Sequence, residues 1–153
     1  MHIRVASEDD LPALVEFEIE IARISFPEDP VTSPATHTKK LGKALQQSPE
    51  GMFVVDVDGQ VIGWLWVTVN TQFLTGERYA NFRSFALHPD WRGGETGRKL
   101  MEFCIDYCRQ QEVKWITGKV HVKNLAMRAL YAALAFQPKH LTMEYRFDQG
   151  ENL

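Results

Sequence analysis

One stretch constrains the fold more than any other: Ala80 to Leu100, which reads AxFxSFALHPDWRGGETGRKL. Its first half alternates as a strand does and stops at His88-Pro89. Its second half opens on Arg92-Gly93-Gly94-Glu95-Thr96-Gly97 and leads into helical spacing at Leu100, Phe103, Cys104, Tyr107 and Cys108. The local architecture is therefore strand, glycine loop, helix. Such a loop lets successive backbone N–H groups converge on an anion, and the helix start adds its positive dipole end. Arg92 and Arg98 bracket it with fixed charge. The stretch reads as a pyrophosphate site, with an ordinary glycine-rich turn as the alternative. Its spacing is neither the GxxxxGKS of a triphosphatase nor the GxGxxG of a dinucleotide fold.

The remaining elements arrange themselves around this unit. Ile3-Arg4-Val5 is a short strand. Asp9 then offers a cap for a helix from Asp10, with Pro12 in the first turn and Leu11, Leu14, Val15, Ile19 and Ala22 on one stripe. That helix must end before Pro27, leaving residues 26–30 as a loop. A second helix covers about Thr36 to Gln47. Asp58-Gly59 joins Met52–Val57 to Val61–Val69 as a hairpin. Alternation puts Val61, Leu65, Val67 and Val69 on one face and Trp64, Trp66 and Thr68 on the other. The next strand runs from about Tyr79 to Leu87, and Trp115 to Val122 reads as another. Asn124 caps a helix with Ala126, Ala129, Leu130, Ala133 and Leu134 on one face, and Leu141 to Phe147 reads as a last strand. The order is βααβββαβαβ: a single α+β domain over residues 1–153, with a mixed, mostly antiparallel sheet and helices on both faces.

Composition narrows the function classes. At 153 residues and 44% apolar, the chain is the size of one domain with one core. A net charge of −3 lacks the basic excess of a general nucleic-acid binder. Neither a signal-peptide run nor a stretch long enough to span a bilayer is present, so a cytoplasmic location and no membrane partner are expected. Cys104 and Cys108 read as core thiols, because a disulfide within one helical turn would be strained. No further ligands lie near them at metal spacing, and no metal is expected.

A second segment, Asn124-Leu125-Ala126-Met127-Arg128-Ala129-Leu130-Tyr131-Ala132-Ala133-Leu134-Ala135-Phe136, joins the first in resembling a known family. Together they are similar to the GNAT superfamily of acyl-CoA-dependent N-acyltransferases, whose segments usually read V-x-P-x-(Y/W)-R-G-x-G-x-G and N-x-x-(A/M)-x-x-L-Y-x-x-x-G-F. The chain departs from the pattern in three places. Glu95 replaces the middle loop glycine, Ala135 replaces the glycine before Phe136, and Arg83-Ser84 stands where many relatives carry a basic carboxylate. Ala135 is tolerable if that helix end avoids a left-handed conformation.

The resemblance implies an N-acetyltransferase that moves an acetyl group from acetyl-CoA directly to an amine of a small molecule or protein. It implies that Phe85, Ala86 and Leu87 pair with the pantetheine amides, and that a backbone N–H at a strand bulge, at about Phe85, receives the oxyanion. Arg92, Gly93, Gly94, Glu95, Thr96, Gly97, Arg98 and Asn124 fall on the coenzyme-binding positions. Tyr131 matches the tyrosine that protonates the leaving thiolate, where by itself it would read as a core aromatic. For the amine's proton the sequence offers His121, His88, Glu144 and a water chain. The acceptor end is expected from residues 26–31, the third strand and the last strand. There Glu28 and Asp29 would suit an ammonium, and Arg83 a carboxylate or phosphate unless it pairs with Glu77. Trp64 and Trp66 either line that cleft or pack on a helix. A homodimer stays open, and so does a non-catalytic coenzyme-A-binding domain, in which Glu95 and the missing carboxylate record lost catalysis.

Overall fold

A computed structural model describes residues 1–147. Five strands form one sheet in sequence order: β1 (His2–Val5), β2 (Met52–Val57), β3 (Gln60–Thr71), β4 (Arg78–Leu87) and β5 (Ile116–Thr117). Successive pairs are antiparallel except β4 with β5, which is parallel. Helices α1 (Leu11–Ser25) and α2 (Pro34–Gln47) precede β2, while α3 (Thr96–Gln110) and α4 (Leu125–Ala133) flank β5. Because strand side chains alternate, the sheet has two apolar faces. Met52, Val54, Trp64 and Trp66 meet Leu14, Val15, Phe17, Leu41 and Leu45 of α1 and α2. Phe53, Val55, Leu65, Val67 and Phe82 meet Leu100, Met101, Cys104 and Cys108 of α3, with α4 packed at the edge. Both thiols are free and buried, as core residues. No helix among the described residues is long and apolar enough to cross a membrane.

Several expectations need correction. The first helix is not capped by Asp9. Ser7 opens a short 3-10 turn, Asp10 returns a carboxylate to the Ser7 N–H at 2.8 Å, and α1 begins one residue later than expected. Asp10 also takes two bonds from the Arg4 guanidinium, at 2.8 and 2.9 Å, so the acid is spent on fastening β1 to α1. On β3, Val61 packs with the tryptophan face and Ile62 with the Leu65 face. A register shift against Val55/Asp56 inserts one residue and flips the alternation there. On α4 the packed residues are Met127, Leu130, Tyr131 and Leu134, the large ones at helical spacing, while Ala126, Ala129 and Ala133 are exposed. Trp64 and Trp66 are buried under α1 and α2, the packing reading of the pair.

Two strands fall short. The expected Trp115–Val122 strand pairs only at Ala80↔Ile116 and Asn81↔Thr117. Leu141 to Phe147 forms no strand at all. Its apolar positions Leu141, Met143, Tyr145 and Phe147 are all largely exposed, and β5 is only two residues long, an edge too short to build a ladder on. Arg146 ties this segment to Asp29 at 2.8 Å and to Glu144 at 3.0 Å instead.

Candidate active site

The cleft originates in a break of register on β4. Trp66 pairs with Ser84 and Val67 with Phe82, so Arg83 is the extra residue of a bulge. The bulge thus lies two positions before the Phe85 expected. A bulged strand bends and twists, and β4 accordingly keeps only two residue pairs with β5 before the strands part. From Phe82 onward the β5-facing edge of β4 has no ladder partner among the described residues. An open cleft of about 100 Å³ fills the gap. Phe82, Arg83, Ser84 and Phe85 line it from β4, Lys119, Val120 and His121 from the segment after β5, Ile21, Ile24 and Ser25 from α1, and Asn124, Met127 and Tyr131 from α4.

Tyr131 reaches this cleft because α4 starts cleanly. The Asn124 side chain accepts from the Met127 N–H at 3.1 Å, which sets the helix register two turns ahead of the tyrosine. The ring is wedged between Phe82, at 6.2 Å edge-on, and Phe136, at 4.9 Å. Its hydroxyl lies over Gly118: a methyl group there would sit 2.5 Å from Tyr131 Oη and 3.2 Å from Phe82 Cβ. Burial pushes the Tyr131 phenol up to about 12, with the buried Cys104 thiol adding to the effect. The group therefore holds its proton at neutral pH and has no hydrogen-bond partner among the described residues.

At the far end of β4 the glycine loop has the shape of an anion site. α3 begins at Thr96 with no side-chain cap, leaving its first N–H groups unspent. Gly93 has φ +78°, and neither Gly93 nor Gly94 has an atom within 4 Å of where a Cβ would stand. Gly97 lies against Leu87 and Leu130, so the loop adjoins both β4 and α4. The Glu95 side chain points to solvent, 84% exposed, with Lys99 Nζ at 3.5 Å. Both arginines already have partners: Arg98 pairs with Glu102 at 3.0 Å, while Arg92 holds Glu20 of α1 and the Leu87 carbonyl. Of the expected coenzyme residues, Phe85, Asn124 and Tyr131 meet in the cleft. Ala86, Leu87 and residues 92–98 lie outside its lining.

The candidates for the amine's proton fare unevenly. His121 lines the cleft, but its Nδ1 accepts from the Lys123 N–H at 3.1 Å, which leaves the proton of a neutral ring on Nε2. His88 and Glu144 are outside the cleft lining. Strand alternation would place Arg83 with Phe85; the bulge instead turns Arg83 to the Trp66 face, its Cζ 4.7 Å over that ring. Glu77 pairs with Lys114, not with Arg83. Ala135 takes the left-handed conformation that the sequence reading asked it to avoid, at φ +63°.

Sequence reasoning missed two residues. Glu18 of α1 accepts from Trp64 Nε1 at 2.8 Å and from the Ser84 hydroxyl on β4. The signal was present, since Glu18 stands seven residues after Leu11 on the apolar stripe. Gly118, which makes room for the tyrosine, carried no signal without its neighbours.

The sequence pattern of the Acetyltransferase (GNAT) family matches residues 12–136. The chain belongs to that family. A Bacillus subtilis (strain 168) protein, provisionally named an N-acetyltransferase of the alanine of ribosomal protein bS18, is 24% identical over 140 residues, 90% of this chain and 84% of its own. An Archaeoglobus fulgidus protein named only as an N-acetyltransferase is 28% identical over 139 residues, 87% of this chain and 90% of its own. Among solved structures, a ribosomal-protein-alanine N-acetyltransferase from Brucella melitensis superposes with a TM-score of 0.68 at 23% identity, over 88% of this chain and 83% of that one. As a GNAT acetyltransferase, the chain shares its fold with such enzymes.

Proposed function

We propose that this acetyltransferase moves an acetyl group from acetyl-coenzyme A directly to an amine that also carries an acidic group, such as an amino acid or a peptide. The observation that carries the reading is the Tyr131 hydroxyl: it keeps its proton, lacks a hydrogen-bond partner among the described residues and faces a cleft along an open strand edge. The coenzyme fits what stands around it. An uncapped helix start with two unobstructed glycines suits a pyrophosphate, and an edge of β4 that has no ladder partner among the described residues suits pantetheine amides. Arg92 would have to loosen its hold on Glu20 to add its charge.

Within the cleft, unpaired N–H groups of β4 near Phe85 can donate to the carbonyl oxygen as it becomes an oxyanion. Tyr131 supplies the proton that a departing thiolate needs; burial keeps the phenol protonated at neutral pH and also makes it a weaker acid, so its proton moves as the C–S bond breaks and not before. Arg83 is exposed, lines the cleft and has no ion pair among the described residues. Its guanidinium, steadied by the Trp66 face, is free to hold a carboxylate or phosphate of the acceptor by two prongs. The names of a relative and of a structural neighbour each give an alanine of a ribosomal protein as the acceptor, so an amine on a polypeptide belongs in the acceptor screen.

An acceptor screen tests this: thiol release from acetyl-CoA with amino acids, short peptides and polyamines. Amino acids and peptides should outperform polyamines, and Arg83→Ala should erase the preference. Better turnover with polyamines, or an unchanged ranking in the variant, would refute the acceptor class.

A further inference from the structure

The deprotonation of the acceptor has no carboxylate on β4 to serve it, since the cleft-lining residues there are Phe82, Arg83, Ser84 and Phe85. The structure brings one there from another element. Glu18 on α1 is half-buried, and one oxygen accepts from both the fully buried Trp64 indole and the Ser84 hydroxyl. Ser84 is 5% exposed and lines the cleft, directly beside the bulge; Glu18 itself is outside the lining. The carboxylate has no ion pair among the described residues, and the charged group on the facing strand is Arg83, over Trp66. An amide at position 18 would satisfy the indole and the hydroxyl equally well, so what a carboxylate adds at this place is the capacity to take a proton.

We infer that Glu18 takes up the proton of the acceptor's ammonium through Ser84. The inference rests on the N-acetyltransferase reading. The hydroxyl already points its hydrogen at Glu18, so its lone pairs are left for the cleft side. The acceptor N–H passes its proton to Ser84 Oγ while the Ser84 proton moves to Glu18. The amine is left neutral with its lone pair free for the thioester carbonyl, and the carboxyl is left neutral until it returns the proton to water. No oxidant or further reactant enters. Ser84 makes the contact, and Glu18 acts one step behind it. The bulge gives this pairing its geometry, because it turns Ser84 toward α1 and Phe85 toward the opposite face.

Glu18→Gln is the direct test, since a glutamine carbonyl still accepts from Trp64 and Ser84 but cannot take a proton. With acetyl-CoA and the best amine of the acceptor screen, kcat should fall roughly 100-fold or more, with the acceptor KM and the melting temperature little changed. Ser84→Ala should fall comparably, the double variant no further than either single one, and Ser84→Thr should keep most of the activity. A Glu18→Gln kcat within about threefold of the parent would show that Glu18 only satisfies the indole. Full activity in Ser84→Ala would overturn the route even if Glu18→Gln failed to fold. Absence of acetyl transfer to any amine by the parent protein would sink the N-acetyltransferase reading itself, a result distinct from an active parent whose variants keep pace.

Discussion

Replacing Ala135 by glycine should stabilise the protein, which is unusual for any substitution of alanine. Two bonds close α4: the Phe136 N–H donates to the Tyr131 carbonyl at 2.9 Å, and the Ala135 N–H to the Ala132 carbonyl at 3.2 Å. This is the 6→1 and 5→2 pattern of a helix end that turns through one left-handed residue. That residue is Ala135, at φ +63°. A β-carbon in this conformation costs about 1–2 kcal/mol, and glycine removes the cost. Glycine also frees the unfolded chain, which takes back about 0.5–1 kcal/mol. The net gain lies between about 0 and 1.5 kcal/mol with a midpoint of about 0.75, or about 1.5–3 °C in melting temperature at that midpoint for a chain of this size. Ala129→Gly is the matched control: that residue is exposed within α4, and the same change should destabilise by about 1 kcal/mol. Urea titration of both variants with the parent measures the two signs. If Ala135→Gly is destabilising by as much as the control, the left-handed end is not where the helix stops and the argument fails.

Four further outcomes follow from the site and its supports. Tyr131→Phe should keep acetyl-CoA binding while lowering kcat by about 10²–10⁴-fold, measured on one preparation by calorimetry and thiol release; unchanged turnover would make it a packing residue. Gly118→Ala puts a methyl 2.5 Å from Tyr131 Oη, so kcat should drop at least about tenfold while Tyr131→Phe/Gly118→Ala falls little below Tyr131→Phe alone. Glu95→Gly should alter acetyl-CoA affinity by less than about tenfold, because the carboxylate already faces solvent; a larger gain would show that it opposes the phosphates. The Arg4 guanidinium holds the Asp10 carboxyl below the usual carboxylate range, against the opposing pull of burial. A depressed folded-state value stabilises above the unfolded pKa of about 4 and is lost as pH falls through the folded one, so Asp10→Asn should cost about 2 kcal/mol at pH 7 and flatten the acid limb of the stability curve.

Element order up to α4 could be read from the sequence because local chemistry decides it. Pro27 must end α1, Asp58-Gly59 must turn the hairpin, and Asn124 must cap α4, whatever the tertiary context. Side-chain facing was legible only up to the first irregularity. The slip beside Ile62 moved Val61 to the tryptophan face, and the one at Arg83 moved the guanidinium away from Phe85. A period of two carries no warning of an inserted residue, since the insertion depends on how the partner strand bends. The shortness of β5 and the absence of a strand at Leu141 to Phe147 were likewise not in their own residues. Trp115–Val122 has strand composition, but β4 curves away after Asn81, and a strand without a partner is only an extended segment.

The same distinction separates what was legible in the site from what was not. Tyr131 and Asn124 lie on one helix at a fixed spacing, so a motif can carry them. Glu18 and Ser84 are 66 positions apart and meet only because α1 packs across the sheet face that the bulge exposes to it. Glu18 is one of three acids on α1, with Glu16 and Glu20, and its place on the stripe shared with Leu11, Leu14 and Ala22 is the readable clue. The two donors it meets would be satisfied by an amide as well, and only a carboxylate at that place can take up a proton. The residue pair Arg83-Ser84, which as sequence looks like a lost base, is in three dimensions the point where a base from elsewhere is delivered.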